Sequence, residues 1–263
     1  MDLGIEGKTA LVAAASRGIG FAVAQSLLRE GCKVSICGRT EESVAKAHGD
    51  LVAEFDANRV RAFRCDIRNR QELQEWVALT REALGPIEIL VTNTGGPAAG
   101  HLDEISEEQW LAGFQSTVLN VIRLSEMTIP DMISRRWGRV VHLTSLVAFQ
   151  PNDLLPISTI LRAGLRGLTR LQSNLYAKHG ITVNAVLPGH TLTERQKHIA
   201  QVWSGKTGLP VEKYFEQIAS EIPIGRLAVP SEIGDVVAFI CSTQASYVTG
   251  VSLLVDGGAA QVI

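Results

Sequence analysis

The side chains that could do chemistry follow the apolar segments of this sequence. Ser145 comes directly after one such segment, and Ser158 and Arg162 stand four residues apart in the helical segment beyond it. Residues four apart in a helix lie on one face, so this hydroxyl and this guanidinium can address one ligand. Asp153 and His190 lie in loops of the same kind, where each could supply a proton. The pattern favours acid–base chemistry beside a fixed cation.

A glycine-rich turn, Ser16-Arg17-Gly18-Ile19-Gly20, follows the first apolar segment and leads into an amphipathic helix. Glycine lets the backbone approach a phosphate closely, and the start of a helix offers N–H groups and the positive end of the helix dipole. The turn therefore predicts a binding site for the pyrophosphate of a dinucleotide. The alternative is an ordinary turn between a strand and a helix, because two glycines at this spacing are common.

Short apolar runs alternate with longer amphipathic segments along the chain, which predicts right-handed strand–helix–strand units and a parallel sheet. The expected fold class is α/β, a Rossmann-type doubly wound parallel sheet of about seven strands with helices on both faces. No linker or repeat divides the chain, so residues 1–263 are expected to form a single domain. The predicted strands are 9–13, 33–37, 60–65, 87–92, 139–143, 182–186 and 252–255.

One segment departs from the alternation. Residues 194–222 carry a mixed helical pattern that includes Gly205, Gly208 and Pro210. A long insertion at the carboxyl end of a strand lies over the ligand crevice of a doubly wound sheet. We expect this segment to be a helical substrate lid, with a surface helical hairpin as the alternative.

Six short motifs occur in order between Lys8 and Gly258. They are Gly18-Ile19-Gly20, Cys65-Asp66-Ile67, Asn93-Thr94-Gly95, Thr144-Ser145, Val183-Asn184-Ala185-Val186-Leu187-Pro188-Gly189 and Val255-Asp256-Gly257-Gly258. In this order the chain resembles the short-chain dehydrogenase/reductase family, of the kind that includes 3-oxoacyl-acyl-carrier-protein reductases.

The resemblance implies a dinucleotide site. It implies that Asp66 binds the adenine amino group, that Ile67 packs on the adenine and that Asn93 lies near the ribose. The family's glycine motif opens with Thr-Gly, whereas this chain has Ala13-Ala14; we expect a slight shift of the loop without loss of binding. The other implied cofactor-binding residues are Ser16, Arg17, Gly18, Ile19, Gly20, Gly95, Arg162, Pro188, Gly189 and Thr193.

The end of the second strand predicts the type of dinucleotide. Family members that prefer NAD carry an acidic residue there for the ribose 2′-hydroxyl, whereas Cys37-Gly38-Arg39 supplies an arginine. A guanidinium suits a 2′-phosphate, and Arg17 adds a second cation nearby. The sequence therefore predicts NADP(H).

The catalytic positions depart from the family pattern, which uses an Asn, a Ser and a Tyr-x-x-x-Lys pair. The corresponding residues here are Thr117, Ser145, Ser158 and Arg162, so the Ser is retained and the other three differ. The resemblance implies that Ser145 polarises a carbonyl and that Arg162 takes the ribose-binding role of the lysine. An aliphatic hydroxyl is a far weaker acid than a phenol, so Ser158 cannot replace the tyrosine as the acid.

The proton donor is therefore open. His190, Asp153 and a water held by Ser145 and Ser158 are the alternatives. Tyr176 stands eighteen residues beyond Ser158 on the same predicted helix, about 27 Å along its axis, which excludes it.

Two functions follow from this pattern. The first is an NADPH-dependent reductase acting on a small carbonyl compound, or the reverse alcohol oxidation, with an atypical proton relay. The second is a dinucleotide-binding protein with little turnover that acts as a sensor or as a partner subunit. Retention of Ser145 and of a cation at Arg162 favours the first.

Composition and net charge limit the kinds of partner and the cell compartment that we expect for this protein. The net charge of −2 argues against a nucleic-acid surface, and neither a membrane span nor a signal segment is evident, which predicts a cytoplasmic protein. The four cysteines form no Cys-x-x-Cys pair, so buried free thiols are expected rather than disulfides or metal ligands. The family usually pairs through its fourth and fifth helices and its C-terminal strand, and the apolar end of the chain, 252–263, is consistent with a buried tail in a homotetramer.

Overall fold

A parallel sheet of seven strands forms the centre of the chain in the computed structural model, which describes residues 2–261. The strands are β1 (Thr9–Val12), β2 (Lys33–Gly38), β3 (Val60–Arg64), β4 (Ile89–Thr92), β5 (Gly138–Leu143), β6 (Ile181–Pro188) and β7 (Ser252–Val255). Their order across the sheet is β3-β2-β1-β4-β5-β6-β7, and every neighbouring pair is parallel. The predicted doubly wound α/β sheet is confirmed.

Helices cover both faces of this sheet. They are α1 (Gly18–Arg29), α2 (Glu41–Val52), α3 (Arg70–Leu84), α4 (Glu107–Phe114), α5 (Asn120–Arg135), α6 (Pro156–Tyr176), α7 (Glu194–Thr207), α8 (Val211–Glu221) and α9 (Pro230–Ile240). In β1, Ala10 and Val12 belong to a core with α1 and α9, whereas Leu11 belongs to a second core with α3 and α5. Successive residues of a strand point to opposite faces, so one apolar run serves both cores.

Element ends differ from the predictions by a few residues. β1 ends at Val12 rather than at residue 13, and β4 begins at Ile89 rather than at 87. β6 is longer than predicted, because its last residues Leu187 and Pro188 still pair with β7.

The fourth helix of the family pattern is divided here. A π-helical turn, Gln115–Leu119, separates α4 from α5. Such turns insert an extra residue into a helix and occur often at functional sites. Thr117, the residue at the family's Asn position, lies in this turn and is buried.

All four cysteines are free and buried, as predicted. Burial raises the pKa of the Cys241 thiol to about 12, so this side chain behaves as an apolar core residue. Within residues 2–261, no helix combines the length and the apolar character that a membrane crossing requires. In the same range no group of three His, Cys, Asp or Glu side chains could hold a metal ion.

A buried histidine links the sheet to α6. The two ring nitrogens of His142, on β5, lie 2.9 Å from Thr92 Oγ1 on β4 and 2.9 Å from Gln172 Oε1 on α6. Burial lowers the pKa of His142 to about 4, although the hydrogen bond to Gln172 opposes the shift. The folded protein therefore holds this ring in its neutral form.

We expect His142 to make the fold acid-sensitive. A histidine in the unfolded chain titrates near 6.5. Between pH 6.5 and about 4, therefore, the unfolded chain binds a proton at His142 that the folded chain does not bind. The free energy of unfolding falls as pH falls through this range. From pH 7 to pH 5 this one group should lower the free energy of unfolding by about 2 kcal/mol. Denaturant unfolding of the parent and of His142→Gln at both pH values measures the difference, with the exposed His198→Gln as control. Equal pH dependence in parent and His142→Gln would contradict the assignment.

Candidate active site

The candidate residues lie in loops at one edge of the sheet. In a parallel sheet all carboxyl ends meet at the same edge, and the crevice opens where the strand order changes direction. Here that point lies between β1 and β4, because β2 and β3 continue to one side and β5 to β7 to the other. The glycine turn after β1 and the loops after β4, β5 and β6 therefore surround one crevice.

The start of α1 is open to an anion. Arg17 is its N-cap residue and makes no side-chain cap hydrogen bond, and the first turn contains no acidic residue. A Cβ on Gly20 would lie 2.6 Å from Asn93 Nδ2 and 2.9 Å from Ala14 O, so only glycine fits there. Unpaired N–H groups behind a glycine turn fit the pyrophosphate of a dinucleotide.

The alanine that replaces the family's first glycine keeps the backbone conformation of a glycine. Ala14 has φ 47°, in the left-handed region, where a residue with a Cβ loses about 1 kcal/mol. Asn93 Nδ2 donates a hydrogen bond of 3.0 Å to Ala14 O and holds the turn in place. The slight shift of this loop that the sequence led us to expect stays a prediction, and within this chain Ala14 takes the left-handed conformation with local strain.

The far end of the crevice is basic. Arg17 and Arg39 are both exposed, and within residues 2–261 neither forms an ion pair. The carboxylate of Asp66 accepts hydrogen bonds from the side chain of Arg68. These hydrogen bonds are the main cause of the lowered pKa of Asp66, and the charge of Arg39 also contributes to it. Arg68 uses part of the carboxylate that the resemblance assigns to the adenine. Ile67 is 7% exposed and packs mainly into the core.

Arg162 is a buried clamp at the other end of the crevice. Its Nε donates to Ser158 Oγ at 3.1 Å, and its Nη1 donates to the carbonyl oxygens of Leu143 (3.2 Å) and Thr144 (2.6 Å). Its Nη2 donates to Thr94 Oγ1 at 3.0 Å. The guanidinium thus joins α6, the end of β5 and the loop after β4.

This network limits what Arg162 can offer a ligand. Four of the five N–H groups of a guanidinium are used, so one N–H on Nη2 remains for the ribose role that the resemblance implies. Burial, and then the charge of Arg195, lower the pKa of Arg162 to about 10, and the group stays cationic at neutral pH. A lysine at this position could not make the same four hydrogen bonds.

Ser145 and Ser158 keep their hydroxyl protons free to donate. Ser145 Oγ accepts a weak hydrogen bond from the backbone N–H of Val147, at 3.4 Å, and caps a short 3₁₀ turn. Ser158 Oγ accepts from a cation, which strengthens its hydroxyl as a donor. Both can therefore give a hydrogen bond to an oxygen in the crevice.

The two candidate acids occupy different environments. Asp153 is exposed in the turn before α6 and is not its N-cap, because Leu155 holds that position without a side-chain cap. His190 is half-buried, with Nδ1 3.4 Å from Gln196 Nε2. Burial lowers its pKa against the opposing charge of Glu221, which favours the neutral imidazole at pH 7.

The loop after β6 lies close to the glycine turn. A Cβ on Gly18 would be 3.5 Å from Thr193 Cγ2, and Thr193 caps α7 by accepting from the backbone N–H of Gln196. Pro188 is the last residue of β6, and a Cβ on Gly189 would lie 2.7 Å from Asp256 Cα. The predicted cofactor residues of this loop and of the glycine turn thus face one another. Tyr176, at the last position of α6, is far from Ser158, as expected.

Three residues of this region had no role predicted from the sequence. Arg195, on α7, reaches the loop after β4, where its Nη1 donates to Gly95 O at 2.9 Å. Asn120 is fully buried, and neither its Nδ2 nor its Oδ1 has a hydrogen-bond partner among residues 2–261, which also holds for Thr117 Oγ1. Thr94 anchors Arg162. For Asn120 and Arg195 the sequence showed only a polar residue three positions after Thr117 and an arginine two after Thr193, whereas Thr94 stands in the Asn93-Thr94-Gly95 motif.

A parallel sheet of this order, with a glycine turn and an open helix start after β1, defines a dinucleotide-binding protein. The family model described as enoyl-(acyl carrier protein) reductase matches residues 13–260. The chain belongs to the short-chain dehydrogenase/reductase family, which confirms the resemblance seen in the sequence.

Similar proteins span almost the whole chain. The 3-oxoacyl-(acyl-carrier-protein) reductase of Vibrio cholerae is 32% identical over 256 residues, covering 97% of this chain and 98% of its own. L-sorbose reductase from Gluconobacter frateurii, solved with NADPH and L-sorbose, has a TM-score of 0.95 at 30% identity and full coverage of both chains. An actinorhodin polyketide ketoreductase solved with NADPH has a TM-score of 0.91 at 31% identity, with 97% of each chain covered.

Proposed function

We propose that this chain is an NADP(H)-dependent oxidoreductase that interconverts a small ketone and a secondary alcohol through an atypical proton relay. The observation that carries the proposal is the convergence of Ser145, Ser158 and Arg162 on the crevice that the glycine turn opens. The two similar structures that hold NADPH, together with Arg17 and Arg39, support NADP(H) as the cofactor. The known reductases among its relatives support the reaction class.

When bound, the reduced cofactor supplies the hydride to the carbonyl carbon. Ser145 donates a hydrogen bond to the carbonyl oxygen, where negative charge develops. The cation of Arg162 lies behind Ser158 and stabilises that charge, and the oxygen then takes one proton to complete the alcohol. The site must therefore deliver one proton for each hydride.

We assign this delivery to a water held by Ser145 and Ser158. Ser158 accepts from Arg162 and so turns its own proton outward, which suits a relay from water to the substrate oxygen. The unpaired Thr117 and Asn120 support ordered water nearby, since buried polar groups without protein partners usually bind water and the turn that holds Thr117 packs on α6. His190 in its neutral form and the exposed Asp153 fit the role less well.

The relay predicts a difference among hydroxyl and acid variants. Ser158→Ala should lower kcat by roughly 10²-fold with little change in KM, whereas His190→Gln and Asp153→Asn should stay within about threefold. Ser158→Thr keeps the hydroxyl and should recover most of the rate. NADPH affinity and melting temperature show whether each variant is intact. A large loss of kcat in His190→Gln or Asp153→Asn alone would assign the proton to that residue instead.

A second function, dinucleotide binding without efficient turnover, is favoured by one observation. Four N–H groups of Arg162 donate hydrogen bonds within the protein, which suits a structural role. A panel of ketones and alcohols assayed with NADPH or NADP+, together with direct cofactor titration, separates the two functions. Turnover of any pair supports the reductase; tight NADPH binding without turnover across the panel contradicts it and supports a sensor or partner subunit.

The rest of the assignment follows the family pattern. We propose a single catalytic domain in which α7 and α8 form the substrate lid, since Trp203 of α7 packs on Tyr214 of α8 with ring centroids 5.6 Å apart. We propose that the protein is cytoplasmic, because free thiols suit a reducing compartment. The net charge of −2 supports a protein that does not bind nucleic acid.

We also propose a homotetramer. The predicted buried tail is half-exposed within this chain, with Leu253 37% exposed, and its last residues Val262 and Ile263 lie outside the described residues. β7 is an edge strand. Exposed apolar side chains lie on α4, which is the first part of the family's fourth helix, and on α6, which corresponds to the family's fifth helix. They are Leu111 and Phe114 on α4, and Ile160, Leu171 and Leu175 on α6. Light scattering after size exclusion measures the subunit number.

A further inference from the structure

Two arginines from distant parts of the chain meet at the loop after β4. Arg162 donates to Thr94 Oγ1 at 3.0 Å, and Arg195 donates to the carbonyl oxygens of Gly95 (2.9 Å) and Pro97 (3.2 Å). The two guanidinium groups are close enough that the charge of Arg195 contributes to the lowered pKa of Arg162. Like charges repel, so this arrangement costs free energy in the absence of a compensating charge.

The loop is shaped to receive Arg195. Gly96 has φ 80°, and a Cβ built on it would lie 2.7 Å from Arg195 Cζ. Any other residue at position 96 would therefore displace the guanidinium. The two backbone hydrogen bonds fix the plane of the group, so that its orientation is set before a ligand arrives.

No carboxylate neutralises this pair in the part of the chain that the structure describes. Neither Arg162 nor Arg195 takes part in an ion pair there, and no acidic group contributes to the pKa shift of either. The adjacent Glu194 is exposed and binds Lys197, at 2.8 Å. A buried guanidinium normally has an ion-pair partner in the protein, and Arg162 is buried without one among residues 2–261, with the like charge of the exposed Arg195 beside it. This arrangement points to an anion from outside.

The unused hydrogen-bond donors match a carboxylate. Arg195 uses one N–H on each Nη, which leaves three N–H groups for a ligand, whereas Arg162 keeps its one free N–H for the ribose and adds only its charge. A guanidinium with free parallel N–H groups binds a carboxylate in two-point fashion. Arg195 is accessible to solvent, so a small ligand can reach it.

The position of the pair argues for the substrate rather than the cofactor as the source of the anion. The phosphate groups of the dinucleotide have their own partners at the open start of α1 and at Arg17 and Arg39. Arg162 and Arg195 instead lie at the ends of β4 and β5, beside Ser158. That is the half of the crevice in which we place the reacting carbonyl.

We propose that the substrate is an oxo acid, a ketone that carries a free carboxylate, and that Arg195 with Arg162 is the counter-charge of that carboxylate. This inference rests on the proposed reductase function and narrows its substrate class. Arg195 is a specificity-determining residue in this assignment, because it contacts the substrate away from the reacting carbon.

The test compares charged and neutral forms of one ketone. 2-Oxobutanoate and levulinate, each paired with its methyl ester, are assayed with NADPH against the parent, Arg195→Met and Arg195→Lys. We expect the parent to prefer one acid over its ester at least tenfold in kcat/KM. Arg195→Met should lose at least tenfold on that acid, mainly through KM, and keep its activity on the ester within about threefold. Arg195→Lys should recover part of the loss.

Binding without turnover gives an independent readout. With NADP+ in place of NADPH no reduction occurs, and calorimetric titration with the preferred acid should give a Kd at least tenfold weaker in Arg195→Met than in the parent. Lys197→Met, which removes the same charge from the same helix, should match the parent in both assays and serves as the control. NADPH affinity should be unchanged in all variants.

Three results would overturn the inference. One is equal use of acids and esters by the parent; another is an unchanged acid-to-ester ratio in Arg195→Met; the third is a loss of NADPH affinity in Arg195→Met, which would assign the arginine to the cofactor phosphates. If the parent reduces neutral ketones but shows no preference for acids, the substrate class is wrong and the reductase function stands. If the parent binds NADPH and reduces neither acids, esters nor neutral ketones, the proposed function itself fails.

Discussion

Replacing Ser145 by Ala is expected to lower kcat by roughly 10²- to 10³-fold, the usual cost of losing a hydrogen-bond donor to a developing oxyanion. The structure makes the hydroxyl available, because Oγ only accepts a weak hydrogen bond from the N–H of Val147 at 3.4 Å and its proton is free. The same substitution should change the free energy of unfolding little, since that capping bond is long. Steady-state kinetics on the preferred ketone, with NADPH saturating, measures the effect.

Ser134→Ala is a suitable control for this substitution. Ser134 is exposed near the end of α5, where its hydroxyl donates to Asp131 O, and that helix end lies at the opposite edge of the sheet from the crevice. It should leave kcat unchanged. A loss smaller than about tenfold in Ser145→Ala would show that the oxyanion role belongs elsewhere.

Replacing Arg39 by Asp is expected to reverse the choice of cofactor. The parent should bind NADPH at least tenfold more tightly than NADH, a difference of about 1.4 kcal/mol. The substitution removes the phosphate partner and puts an acceptor for the ribose 2′-hydroxyl in its place, which also repels the 2′-phosphate. The variant should prefer NADH by about tenfold, so the ratio of the two affinities changes by about 10²-fold or more.

Fluorescence titration with both cofactors measures this ratio directly. Arg135→Asp makes the same charge change at an exposed residue at the end of α5 and should keep the preference of the parent. Arg17 remains in the Arg39→Asp variant, and a residual affinity for NADPH would report its share of the phosphate site. Equal affinity of the parent for NADPH and NADH, or a preference for NADH, would refute the assignment of both arginines.

The features that the sequence determined are those written in consecutive residues. Alternating apolar and amphipathic segments predicted the parallel sheet, because burial on both faces makes a central strand apolar throughout. The turn from Ser16 to Gly20 predicted a dinucleotide site, and the Cys37-Gly38-Arg39 segment predicted NADP(H). Both predictions were possible because each segment is a local structure whose chemistry is set by consecutive residues. Ser158 and Arg162 could also be paired from the sequence, because a helix fixes residues four apart on one face, and the structure joins them by a hydrogen bond of 3.1 Å.

Only the tertiary structure decided which groups these residues meet. Arg162 is held by Thr94, which is 68 residues away in the chain, and Arg195 lies on Gly95, which is 100 residues away. The conformation of Ala14, which Asn93 holds, and the buried ring of His142 likewise depend on neighbours from other elements. Periodicity in a sequence records which face of an element is buried, whereas hydrogen-bond partners, charge compensation and pKa values depend on the distances that appear when separate elements pack together. The uncompensated pair of arginines at the crevice is such a property: each residue was visible in the sequence, and their convergence on one loop was not.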